Sequence, residues 1–333
     1  MILNIVYLIL GAVLILAGAN YLTEGASAVA KKWGVSDLVV GLTIVAFGTS
    51  MPEFVISVMS AIKGSAGLAI GNIVGSNILN VLVIVGCVAL VSPIKVHRSL
   101  MNNEIPLVIL SALVLLVCAN SSFLDGTATD YIGRVDGIMM LCFFAIFMRY
   151  TLSRAKVPDG MSDLPSPEAA AEVTSEVEAV KDIKMWLAVL YIIGGLAALI
   201  GGGELFVNGA SGIARGLNVS DSIIGLTIVA AGTSLPDLAA SVAAAVKHKP
   251  GLAVGNIVGS NVFNIFFVLG TASTISPLSM GGITNIDLFV LLGACILFWL
   301  FGWFFKERTI TRVEGGILVA CFIAYTTYLV LNA

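Results

Sequence analysis

The sequence predicts an all-α polytopic membrane protein, with ten transmembrane helices arranged as two inverted-topology repeats of five. Three observations predict it. Of the 333 residues, 58% are hydrophobic and only 11% are charged, against about 25% charged in soluble domains. Apolar stretches of roughly 20 residues, enough to cross a bilayer, recur from end to end. The chain also repeats itself: from Gly41 to Gly86, 26 of 46 positions are identical to Gly225–Gly270, without gaps, at an offset of 184.

The ten segments lie near 2–22, 37–61, 66–91, 104–120, 131–150, 185–207, 220–245, 251–275, 286–305 and 313–331. The first begins MILNIVYLILGAVLILAG and has no basic n-region, so it reads as a spanning helix and not a cleaved signal. The second, third, seventh and eighth are rich in Gly, Ser, Thr and Asn, which suits close packing inside a bundle better than contact with lipid. With the N-terminus outside, the inner loops collect all but Lys63, Arg134 and Arg215 of the 17 Lys and Arg. This positive-inside bias puts both termini on the extracytoplasmic side of a plasma or bacterial inner membrane. Residues 152–184 are polar, acidic and proline-bearing, and read as a cytoplasmic linker. They separate a first repeat, 1–151 with its motif at 41–86, from a second, 185–333 with its motif at 225–270. Glu172, Glu176 and Glu178 raise the alternative of a calcium-sensing patch there; a solvated tether, not needed for transport, is the simpler reading.

Other classes are excluded by what composition shows. The net charge of −3 comes without a basic patch, which argues against nucleic-acid binding. The five cysteines stand singly in apolar segments, with no disulfide framework or zinc spacing. No nucleophile–base set suggests an enzyme, and no cofactor is implied.

Five helices per repeat is an odd number, so the second copy enters the membrane from the opposite side. Such repeats are typical of secondary transporters, whose sites lie at the midplane between the halves. In GTSMPE, Gly48 and Pro52 bracket a place where regular helix is hard to keep, and freed carbonyls in lipid need partners. Thr49 and Glu53 lie four apart, as do Ala46 and Ser50, so each pair shares a helix face. The next helix offers Asn72, Ser76 and Asn80. The second half supplies Thr233, Ser234 and Asp237, then Asn256, Ser260 and Asn264. Face to face, the halves would ring two carboxylates with oxygens, the donor set that calcium and sodium accept.

The plain alternative is that these polar residues only join helices. It is even-handed for Asn72, Asn256, Asn77 and Asn261, and it is preferred for Gly71, Gly75, Gly255 and Gly259 as packing positions. It fails for Glu53 and Asp237, because an intramembrane carboxylate costs about 2.5–3.5 kcal/mol and each repeat has one beside a broken helix. Glu24 reads as interfacial, Asp37 and Asp221 as helix caps, and His97 and His248 as loop residues.

GTSMPE and GTSLPD, each followed by GNIVGSN, resemble the two alpha repeats of the sodium/calcium exchangers of the cation/calcium antiporter superfamily. The resemblance covers essentially the whole chain. It implies that Glu53 and Asp237 are central calcium ligands, aided by the carbonyls of Thr49 and Thr233. Sodium would use the same acids with Ala46, Ser50, Ser76, Ala230, Ser234 and Ser260, and Asn80 and Asn264 would sit at the middle. It implies calcium and sodium as cargo competing for one cage, exposed alternately as the helices at 2–22 and 185–207 slide. Two positions depart from the pattern. Asp237 stands where the archetypes have glutamate and is similar to the potassium-dependent exchangers. Asn264 stands where many members carry aspartate, so there are two carboxylates and not three, which makes potassium coupling doubtful. The rivals are a calcium/proton antiporter, disfavoured because GNIVG lacks the acid of GNxxE; a magnesium or manganese antiporter; and, from another class, a cation channel.

Overall fold

The computed structural model describes residues 2–96, 100–126, 129–153, 183–216, 230–304 and 308–332. In chain order the helices are α1 (Ile2–Trp33), α2 (Asp37–Thr49), α3 (Met51–Ile62), α4 (Ala66–Val91), α5 (Leu100–Cys118), α6 (Ser121–Asp125) and α7 (Arg134–Ser153). They continue as α8 (Met185–Gly216), α9 (Ala230–Thr233), α10 (Leu235–Val246), α11 (Pro250–Ile275), α12 (Asn285–Phe304) and α13 (Arg312–Asn332). Among the described residues eight helices are long and apolar enough to cross a membrane, or nine if α2 and α3, bent by 48°, form one span. The expected segment 220–245 falls partly outside the described residues; α9 and α10 belong to it, and neither spans alone. Most of the 152–184 linker also lies outside them.

Local chemistry explains the boundaries. α1 runs well past the expected end at 22, because the Thr23 hydroxyl is satisfied within the helix by Ala19 O at 2.8 Å and the stretch beyond is alanine-rich. Lys31 and Lys32 suit its C-terminal dipole, and Gly34 closes it in the left-handed region at φ +62°. The cap of α2 is Ser36, whose Oγ accepts from Val39 N at 3.2 Å. Asp37 is therefore not the cap expected; it stands one residue inside the helix and pairs with Lys249 at 3.4 Å. Asp221 lies outside the described residues. The break after Thr49 falls where Gly48 and Pro52 predict it: Ser50 has φ −84° and ψ 4°, and Pro52 sits in the first turn of α3, where its missing N–H costs least. Short π-helical turns widen α2 at Gly41–Val45, α4 at Asn80–Ile84, α5 at Leu100–Glu104 and α11 at Phe263–Leu269.

The chain forms two compact units, 1–49 with 150–257 and 50–149 with 258–333. Each draws on both sequence repeats. In the first, α1 and α8 run antiparallel in backbone contact. Gly11, Gly18 and Gly25 recur every seven residues, as do Gly195, Gly202 and Gly209. A Cβ on Gly18 would stand 2.7 Å from Gly195 O, and one on Gly25 2.7 Å from Ala188 O. α10 packs on α1, where Lys247 Nζ meets Glu24 Oε1 at 3.1 Å and Asn20 O at 3.0 Å.

In the second unit, two-residue strands tie distant loops: β1 (Ile94–Lys95) pairs antiparallel with β4 (Thr309–Ile310), and β2 (Tyr131–Ile132) with β3 (Leu278–Ser279). Phe54, Phe143, Phe144, Phe263, Phe266 and Phe267 form an aromatic cluster between α3, α7 and α11. The polar-rich α4 and α11 are the most buried spans, at 72% and 94%, whereas α13 is only 17% buried. Small and polar residues share the interior with packed aliphatic and aromatic side chains, and many large apolar residues face outward, as helices in lipid allow.

Candidate functional site

Glu53 stands in the first turn of α3 and is fully buried. Its backbone is held from α4. Asn72 Nδ2 donates to Glu53 O at 3.3 Å and to Ser57 Oγ at 3.0 Å, and Ser57 Oγ lies 3.3 Å from Ala69 O. One turn further along α4, Ser76 Oγ donates to Glu53 Oε1 at 3.4 Å. Asn80, another turn on, is buried and opens the π-helical turn of α4. Ser50 is buried at the break, and its Oγ has no hydrogen-bond partner among the described residues. From α11, buried Ser260 and Asn264 belong to the same unit. Asn264 Nδ2 donates to Asn77 Oδ1 at 3.0 Å, and Asn77 Nδ2 donates to Asn261 O at 3.2 Å.

The first unit holds the counterpart. Asp237 is fully buried in the first turn of α10, after Ser234 with φ −90° and ψ 1°. Asn256 Nδ2 donates to Asp237 O at 3.3 Å and Ser241 Oγ at 3.0 Å, with Asp237 Oδ1 at 3.5 Å. Asn256 Oδ1 faces Thr49 Oγ1 at 3.0 Å, and that hydroxyl also meets Val45 O at 2.9 Å. Ala46, Thr233 and Ser234 are buried as well. Ala230 opens α9, and its side chain lies outside the described residues.

Each acid thus lies in the first turn of a helix, at the positive end of its dipole. Each carboxylate has a neutral polar side chain beside it, the Ser76 hydroxyl at Glu53 and the Asn256 amide at Asp237. Buried carboxylates among hydroxyl and amide side chains are groups from which a hard cation can draw ligands. Of the asparagines left open, Asn72 and Asn256 each donate Nδ2 to a carbonyl and a serine hydroxyl of the neighbouring helix and so brace the helices. Gly255 is a close-packing residue, since a Cβ there would stand 2.6 Å from Leu38 O. Glu24 is ion-paired near the end of α1, and His248 is exposed in the turn after α10; His97 lies outside the described residues. Ser57 and Ser241 are buried site residues that the sequence reading missed. Their signal was present: each follows its acid by four, on the same helix face.

A family model described as sodium/calcium exchanger protein matches residues 3–152 and 187–331. The chain is 33% identical to the sodium/calcium exchanger MaX1 of Methanosarcina acetivorans, over 98% of each chain. It is also 33% identical to the inner membrane protein YrbG of Escherichia coli, over 99% of this chain and 97% of that one. The solved sodium-calcium exchanger NCX_Mj, soaked with 2.5 mM Na+ and 0.1 mM Ca2+, is 30% identical, with a TM-score of 0.81 and 98% of each chain covered. These matches run through both repeats and both acid-bearing corners, and with them the chain belongs to the sodium/calcium exchanger family, a family of membrane antiporters.

Proposed function

We propose that the protein exchanges Ca2+ for Na+ by alternating access, with Glu53 and Asp237 as the charged ligands for which both ions compete. The observation that carries the reading is the complete burial of these two carboxylates, each in the first turn of a helix that follows a break. A membrane protein keeps such groups where a cation offsets their cost. The neutral ligands are Ser50, Ser76, Asn80, Ser234, Ser260 and Asn264, with the carbonyls of Ala46, Thr49, Ala230 and Thr233. Sodium and calcium share these ligands, so one ion leaves before the other enters. The likeness to the sodium/calcium exchangers MaX1 and NCX_Mj supports this choice of ions. The site would face alternate sides as α1 and α8 slide, with both termini outside and the linker at the cytoplasmic face of a plasma or bacterial inner membrane.

Potassium is not required in this reading. Glu53 and Asp237 together balance the two charges of calcium. Asn264 supplies only a dipole, so a bound potassium ion would lack a third carboxylate to offset it. The test is sodium-gradient-driven calcium-45 uptake into proteoliposomes, with potassium replaced by choline and with proton-gradient and manganese controls. Uptake is expected to follow the sodium gradient with or without potassium. A strict potassium requirement, or uptake driven by protons alone, overturns the reading.

A further inference from the structure

Three asparagines in the second unit decide which end of the Asn264 amide is presented. The Asn261 carbonyl can only accept a hydrogen bond. It faces Asn77 Nδ2 at 3.2 Å, and this sets the flip of the Asn77 amide. Asn77 Oδ1 then lies on the other side, where it too can only accept, and it receives Asn264 Nδ2 at 3.0 Å. Asn264 is left with Oδ1 on its far end. That oxygen is buried and has no hydrogen-bond partner among the described residues.

The two ends of an amide are alike in shape and opposite in polarity. Turning Asn264 over would set two acceptor oxygens against each other at Asn77. Turning both amides would move the same conflict to the Asn261 carbonyl, which the helix backbone fixes. The relay therefore has one self-consistent polarity. A carboxylate at 264 would need no such device, because both of its ends accept; an amide does, because its NH2 end repels a cation.

We infer that Asn77 is a positioning residue for cation binding: it holds Asn264 with its oxygen, and not its nitrogen, toward the transported ion. The inference rests on the proposed role of Asn264 as a neutral ligand. Asn264→Ala tests that role first, in sodium-driven calcium uptake by the full-length protein in proteoliposomes. An unchanged apparent KM for both ions overturns the ligand role, and the inference with it. Given a raised KM, Asn77→Leu in the parent is expected to raise the apparent KM for both ions about tenfold with kcat retained, the effect of one misdirected polar contact. In the Asn264→Ala background the same change is expected to matter less than about twofold, because the amide it orients is gone. Equal factors in both backgrounds mean that Asn77 acts independently, and the inference falls. Asn77→Leu also strands the Asn261 carbonyl, but it does so in both backgrounds, so the comparison between them cancels that loss.

Discussion

At the Glu53 corner, Asn72 Nδ2 lies 3.3 Å from the acid's carbonyl and 3.0 Å from Ser57 Oγ; at the Asp237 corner, Asn256 repeats both distances to Asp237 O and Ser241 Oγ. The preceding serines share a backbone conformation within a few degrees. The carboxylates differ in length. Glu53 meets Ser76 Oγ at 3.4 Å, and Asp237, one methylene shorter, has Oδ1 3.5 Å from Asn256 Nδ2. The amide braces hold the backbone alike in both copies, so the two corners differ by the one methylene of the acid.

Removing either charge should have the largest effect. Glu53→Gln and Asp237→Asn are each expected to cut calcium uptake at least about 100-fold, since calcium is left half-balanced in a low-dielectric site. Gel filtration should show both variants folded; normal uptake by either would remove that acid from the site. Changing length without charge sharpens the comparison. Glu53→Asp and Asp237→Glu are each expected to shift the apparent KM for calcium by about tenfold, and an unchanged KM would show that the site tolerates a carboxylate displaced by one methylene.

The braces come next. Asn72→Ala and Asn256→Ala each free a buried carbonyl and a buried hydroxyl, and each is expected to cost about 1–3 kcal/mol in thermal melts. Asn256→Ala should be the costlier, because it also releases Thr49 Oγ1. Equal losses would show that the Thr49 contact adds nothing beyond the bond to Val45. The smallest effect concerns the turns after the acids. Gly64 has φ +74°, and its counterpart His248 takes φ +56°. His248→Gly is expected to stabilise by up to about 1 kcal/mol, and Gly64→His to lose a similar amount. A melting temperature that falls in His248→Gly would mean that the imidazole contributes contacts of its own.

What was legible in the sequence was what residue type alone betrays. Gly48 and Pro52 announced the break, the small polar residues of 66–91 and 251–275 announced an interior, and the acids that follow Pro52 and Pro236 announced buried carboxylates beside a break. What was not legible depended on partners far away in the chain. Strands of two residues are too short to show alternation, and Ile94 meets Ile310 only through tertiary packing. α1 outran its hydropathy signal because Thr23 and Glu24 look like an end until Ala19 and Lys247 satisfy them. Asp37 looked like a cap until Ser36 took that role and Lys249 supplied an ion pair. The brace role of Ser57 and Ser241 was hidden for the same reason: their spacing from the acids was visible, the asparagine across the groove was not.

The glycine contacts between α1 and α8 bear on how the protein is made. Translation delivers α1 first, yet the backbone it must touch arrives with Gly195 and Gly202, after more than half of the chain has been synthesised. Until then a glycine-lined face lies against lipid, which packs poorly into such a groove. The first repeat on its own therefore lacks the partner for this face. Produced as two separate polypeptides, 1–151 and 185–333, each half would carry one side of this seam. Each is expected to be degraded alone and to be rescued when the two are co-expressed.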